Sequence, residues 1–185
     1  MDLSEHACRA RLDSANEIAE RALRETTELV AISTPSGDAD AAERAVAATL
    51  AMLPPEAEVE RVPCSSPDHA DDLIARLHGF GRARIVLVGH LDTVIAHERH
   101  RAPTVDGNRL NGSGTIDMKG GDALALGVLR SLVDRTEEFA EVALLLVVDE
   151  EFRTADFSHG SRFDGFDACL CFEGGERLAD GSEAL

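Results

Sequence analysis

Three apolar runs constrain this chain most: Arg84–His90, Glu141–Val148 and Phe166–Phe172, each leading directly into an acid or an imidazole. Apolar residues at successive positions belong in central strands. Helical spacing surrounds these runs. Ile18, Ala22 and Leu29 predict a helix over 13–32, stopped by Ser33-Thr34-Pro35-Ser36-Gly37. Ala42, Val46, Leu50 and Leu53 predict a second, ended by Pro54-Pro55, and Leu124, Val128, Leu129 and Leu132 a third over 118–133. Glu58–Val62 and Asp72–His78 alternate as strands, and Asp106-Gly107-Asn108 turns between two short extended pieces in 104–110. Strands alternating with helices imply an α/β domain with a largely parallel sheet. The last dozen residues offer no element.

In open α/β sheets ligands gather at the carboxyl ends of strands. His90 and Asp92 follow the first apolar run, Glu150 and Glu151 the second, and Glu173 the third. Asp117 stands between Gly112-x-Gly114 and the third helix, with Gly120-Gly121 behind it for close helix–sheet approach. All of these can converge at one edge of one sheet. His90 and Asp92, two apart, face the same side of an extended chain. A carboxylate beside an imidazole sets its tautomer and strengthens it as a metal ligand. Glu150 and Glu151 point to opposite faces of a straight strand. If the chain bends there, one can bind metal while the other faces a water.

Taken singly, each feature has a plainer explanation. His90 with Asp92 also describes a core histidine with its hydrogen-bonded aspartate, Asp117 an ordinary helix cap, and Glu150-Glu151 a solvated strand end. Together they require a positive charge, because carboxylates buried beside an apolar sheet are costly. One lysine, Lys119, supplies little of it. A divalent cation and metal-assisted hydrolysis follow as the expected chemistry.

Composition narrows the alternatives. A net charge of -17 argues against nucleic acid and against anionic membrane surfaces. The chain opens with no basic, apolar leader and contains no run of spanning length, so a cytoplasmic protein is expected. Of four cysteines, Cys169 and Cys171 alternate with Leu170 and read as small buried hydrophobes; Cys8 and Cys64 complete no zinc pattern. Leu144–Glu150 looks like the acidic strand of an ATPase, but no G-x-x-x-x-G-K-[ST] loop accompanies it. His6, His69, His78, His97, His100 and His159 read as surface or incidental, although His159 follows the glutamate pair closely enough to enter the pocket.

Gly-His-Leu-Asp-Thr-Val at 89–94, Gly-x-Gly-x-x-Asp-Met-Lys-Gly-Gly at 112–121, Asp-Glu-Glu at 149–151 and Phe-Glu-Gly-Gly at 172–175 resemble the zinc-dependent exopeptidases and deacylases. That family includes glutamate carboxypeptidase, acetylornithine deacetylase and succinyl-diaminopimelate desuccinylase. The resemblance implies a three-layer αβα sandwich with a largely parallel mixed sheet, incomplete here. It implies a two-metal site, usually zinc, with cobalt or manganese as possible occupants. Asp117 would bridge the ions, His90 and Glu173 would complete one of them, and Glu151 would bind the other. Asp92 would orient His90, and Glu150 would be the general base and proton donor. Asp117-Met118 would be a cis peptide. The reaction would be hydrolysis of an amide bond of a peptide or N-acyl amino acid by a two-metal-activated water.

Members of that family are about twice as long. Their catalytic domain is interrupted by a smaller dimerisation domain and then resumes to supply a last histidine ligand. The resemblance therefore makes residues 1–175 the amino-terminal part of the catalytic domain and 176–185 the start of a connection. It implies one whole metal position, part of another, and an exposed apolar surface or strand edge. A homodimer is expected of a full-length relative. The chain alone would be weakly active or inactive; alternatively it is a non-catalytic relic or binding fragment that assembles with another chain.

Overall fold

The computed structural model describes residues 3–107, 109–174, 176–177 and 183–184, with side chains from Leu12 to Gly174 apart from Asn108. Two helices, α1 (Leu3–Val30) and α2 (Ala39–Met52), precede the strands β1 (Glu58–Val62), β2 (Asp72–His78) and β3 (Ala83–His90). A small hairpin of β4 (Thr104–Asp106) and β5 (Arg109–Asn111) leads to helix α3 (Gly120–Ser131). Strands β6 (Phe139–Val147) and β7 (Ala168–Cys171) complete the sheet.

The sheet runs in the order β1-β2-β6-β3-β7. β2 is antiparallel to both its neighbours, whereas β6, β3 and β7 are mutually parallel. The mixed, largely parallel α/β sheet is the one expected. The parallel register aligns the site: Val88 pairs with Cys171 and His90 with Val147. Two residues beyond those pairs, Glu173 is level with His90, and the bend before Glu150 begins where β6 stops.

Alternation along the strands separates two apolar layers. Val142, Leu144 and Leu146 of β6 join Leu73, Ala75, Leu77 and Leu87 on one face, packed against Leu29, Val46, Leu126 and Leu129 of the helices. Burying each such side chain contributes about 1.5–3 kcal/mol. Ala143, Leu145 and Val147 face the other way with Ile74 and Val86. There the described residues place a short turn, Gly160–Phe163, whose Phe163 stands edge-on to Phe166 at 5.3 Å. The Arg84 guanidinium lies 4.4 Å from the Phe166 ring centre. Thus the described residues build the sheet and one helical layer, with aromatic and arginine side chains over the other face.

Several local expectations change. The third helix starts at Gly120, not 118, because Asp117 (φ -114, ψ 98) and Met118 (φ -128, ψ 28) are not helical. The first helix begins near residue 3, its extension carrying leucine, alanine and arginine, which favour helix. Cys169 and Cys171 are exposed, since β7 is an edge strand and Leu170 beside them is 46% exposed. The tail does pair: β8 (Glu176–Arg177) is antiparallel to β9 (Glu183–Ala184). Asn108 of the hairpin turn, Gly175 and the Asp180-Gly181 step lie outside the described residues, as do the side chains of His6 and Cys8.

Candidate metal centre

His90 ends β3 with its side chain 2% exposed. Its Nδ1 faces Asp92, 3.1 Å from the backbone carbonyl and 3.3 Å from Oδ1, while Nε2 meets Asp117 Oδ1 at 2.8 Å. Asp117 reaches this point from a single wide turn, Thr115–Lys119, and the Asp117-Met118 peptide is cis. The chain does bend after β6. Asp92 holds that bend, accepting the N–H of Glu150 on Oδ1 and of Glu151 on Oδ2, each at 3.1 Å. Sequence spacing tied Asp92 only to His90; its grip on the glutamate pair crosses two strand ends and leaves no local signal.

One ligand atom from each of His90, Asp117 and Glu173 lies within 4.8 Å of the other two. An imidazole nitrogen and two carboxylates at such separations suit zinc, and also cobalt or manganese. Glu151 joins Asp117 in lining the adjoining cavity, whose volume is about 860 Å³. The electrostatics also favour a cation. Burial works against charge on His90, yet Asp92, Asp122 and Asp117 outweigh it and lift the imidazole to about 9. Burial, then the Asp117 charge, pushes the Glu151 carboxyl up. Burial raises Asp92 too, but hydrogen bonds from His90, Ser36 and the Glu151 N–H prevail and lower it.

Two buried groups behind this cluster escaped the sequence reading. Lys119 is fully buried and donates to the carbonyls of Leu29 (3.2 Å) and Ile32 (2.7 Å), fastening the Asp117 turn to the end of α1. Burial brings its ammonium down to about 8. Being the one lysine, inside a glycine-rich motif, was its available signal. Asp122 of α3 is also fully buried, with neither oxygen hydrogen-bonded among the described residues, and burial holds its carboxyl well above the usual range. A Cβ on Gly89 would strike Asp122 Oδ1, so this strand position needs glycine.

Cys64, Asp72 and Asp149 form a second cluster on the other side of β6. Its charges are already answered. Asp72 accepts from the Val148 N–H (2.9 Å) and pairs with His159 Nε2 (2.7 Å). Asp149 accepts from the Ser66 N–H (3.0 Å), Ser66 Oγ (2.7 Å) and Arg153 (3.4 Å). His159 is therefore a buried structural histidine, 1% exposed, and does not line the cavity, contrary to the incidental or pocket-facing reading. His97 lies at the surface as expected, and there it is held between Ser33 Oγ at 2.8 Å and Asp38 Oδ2 at 2.7 Å.

Comparison with known proteins points the same way. A profile of peptidase family M20/M25/M40 matches residues 86–180. Succinyl-diaminopimelate desuccinylase of Methylobacterium sp. (strain 4-46) is 40% identical over 103 residues, covering 50% of this chain and 26% of that protein. The fold is similar to that of human carnosine dipeptidase 1, with a TM-score of 0.70 and 16% identity over 90% of this chain and 41% of that one. An M20 family metallo-carboxypeptidase from Sulfolobus solfataricus gives 0.63 and 18%, over 86% and 38%. The matches cover less than half the length of each of these relatives.

Proposed function

Because the chain belongs to peptidase family M20/M25/M40, we propose that it carries the metal centre of a hydrolase that cleaves an amide bond of a peptide or N-acyl amino acid. The observation that carries this reading is the meeting of His90, Asp117 and Glu173 within 4.8 Å, His90 and Glu173 at the ends of neighbouring strands and Asp117 from the turn before α3. His90, Asp117 and Glu173 would hold one ion, and Glu151 with Asp117 would take part in holding a second. Zinc is the metal proposed, and when bound it lowers the pKa of a water and polarises the scissile carbonyl.

The chain's own groups do the rest. Asp92 fixes His90 through Nδ1, leaving Nε2 for the ion. By holding the Glu150 and Glu151 N–H groups, Asp92 also turns one carboxylate toward metal and the other toward the attacking water. Glu150 takes the water's proton and returns it to the leaving amine. Residues 1–175 are read as the amino-terminal part of a catalytic domain and 176–185 as a connection, which the partial coverage of each relative supports. No described helix is long and apolar enough to cross a membrane, and a cytoplasmic setting is proposed.

The test is zinc titration of the apo-protein with hydrolysis of N-acyl amino acids followed alongside. Tight zinc binding that is lost in His90→Ala and Glu173→Ala supports the reading. Equal zinc affinity in the wild type and both variants overturns it.

A further inference from the structure

The cavity beside the metal centre has a basic wall in a strongly acidic chain. Arg99 and Arg101 line it opposite no carboxylate of their own: neither forms an ion pair or side-chain hydrogen bond with a described residue. Several other arginines are neutralised by carboxylates, as in Arg61 with Glu43, Arg76 and Arg84 with Glu141, and Arg130 with Glu25. With 35 acidic residues against 18 basic ones, two unpaired guanidiniums in one concavity are conspicuous. A chain of net charge -17 repels anions at long range, so an anionic ligand needs local cations to be held.

The backbone that carries these arginines is fastened at both ends. Arg99 closes the short turn His97–Arg99, and His97 is clasped by Ser33 and Asp38. Arg101 and Ser113 exchange hydrogen bonds: the Arg101 N–H donates to Ser113 Oγ at 2.9 Å, and the Ser113 N–H to the Arg101 carbonyl at 3.0 Å. Ser113 belongs to the glycine turn that leads into Asp117, so the same framework sets both the arginine wall and a metal ligand. The same cavity is lined by Val94, Ile95, Leu110 and Ile116, apolar side chains suited to a short carbon chain. Its volume of about 860 Å³ holds a small ligand.

We propose that Arg99 and Arg101 form a carboxylate-binding subsite that selects amide substrates bearing a carboxylate at the end remote from the metal. Guanidinium groups bind carboxylates through paired N–H donors, which gives orientation as well as attraction. This inference rests on the amide-hydrolase reading of the metal centre for the identity of the ligand as substrate. The carboxylate can belong to a dicarboxylic acyl group or to the released amino acid, and the test separates the two.

Binding is measured by calorimetry on the zinc-treated chain with N-succinyl-L-alanine, N-succinyl-L-alaninamide, N-acetyl-L-alanine and the neutral N-acetyl-L-alaninamide. In Arg99→Gln/Arg101→Gln the affinity for a carboxylate-bearing probe is expected to fall about 10- to 100-fold, with the neutral probe unchanged. Loss confined to the succinyl probes assigns the subsite to the acyl group; loss confined to the probes with a free amino-acid carboxylate assigns it to the amino acid. Arg99→Lys/Arg101→Lys should recover part of the affinity. Equal binding of every probe to wild type and the double Gln variant overturns the subsite, as does equal weakening of the neutral probe. Zinc uptake is titrated separately. Absence of zinc binding with arginine-dependent carboxylate binding intact would count against the metal centre and still support the subsite.

Discussion

The carboxylate of Asp92 accepts the backbone N–H of Glu151 at 3.1 Å, so one buried acid sets where the next carboxylate can stand. The other oxygen of Asp92 holds the Glu150 N–H, and the same group lies against His90 Nδ1. Asp92→Ala is therefore expected to loosen a ligand and the glutamate bend together. Zinc affinity should fall about 10- to 100-fold, read by competition with a chelating dye. An unchanged affinity would show that His90 and Glu151 are held by other contacts.

Gly121 supports the site without touching an ion. A Cβ there would collide with the Phe172 carbonyl oxygen, one residue before Glu173. Helix α3 can lie this close to the strand end only without a side chain. Gly121→Ala should push Phe172 away and move Glu173, lowering zinc affinity although every ligand remains. Thermal midpoint and zinc titration read the two effects, and a variant that loses neither would refute the close contact.

Much of this geometry is legible in the sequence because the strands carry it. Arg84–His90 and Glu141–Val148 are apolar enough to be recognised as central strands, and parallel pairing then brings His90 and Glu173 level. The bend after Val147 is in the sequence only as a condition for Glu150 and Glu151 to face different ways; what holds it is Asp92. What is not legible depends on contacts between distant segments. Lys119 capping the end of α1, His159 buried on Asp72 and the Asp92 grip on Glu150 each join residues more than fifty positions apart. Cys169 and Cys171 show the reverse limit. Their alternation reads as buried, yet an edge position leaves them exposed, and edge position is a property of the whole sheet order.

Glu141 gives a pH-dependent contribution to stability. Burial pushes its carboxyl up, but hydrogen bonds from Arg84 and Arg76 outweigh burial and hold it below its ordinary value of 4.5. A carboxyl lowered in the folded state stabilises above the unfolded value, and that contribution is lost as pH falls through the folded one. Glu141→Gln is expected to cost about 2 kcal/mol at pH 7. The gap to wild type should narrow as pH drops below 4.5, measured by urea midpoints at pH 7, 5 and 4. A gap that stays constant across that range would remove the ion pair as its cause.

Glu150 and Glu151 are adjacent yet are assigned different work, and substitution separates the roles. Glu151 lines the cavity with Asp117, and its carboxyl is raised by burial and by the neighbouring Asp117 charge. Glu150 is exposed at the bend, held there by its own N–H on Asp92. Glu150→Gln should keep zinc uptake at the wild-type level and reduce amide hydrolysis about 10²- to 10⁴-fold, the range associated with loss of a general base. Glu151→Gln should lower zinc uptake itself. Metal analysis after dialysis, paired with single-turnover hydrolysis at saturating zinc, distinguishes them. If Glu150→Gln loses metal while Glu151→Gln keeps it, the two roles are exchanged, and the bend set by Asp92 turns the opposite carboxylate toward the water.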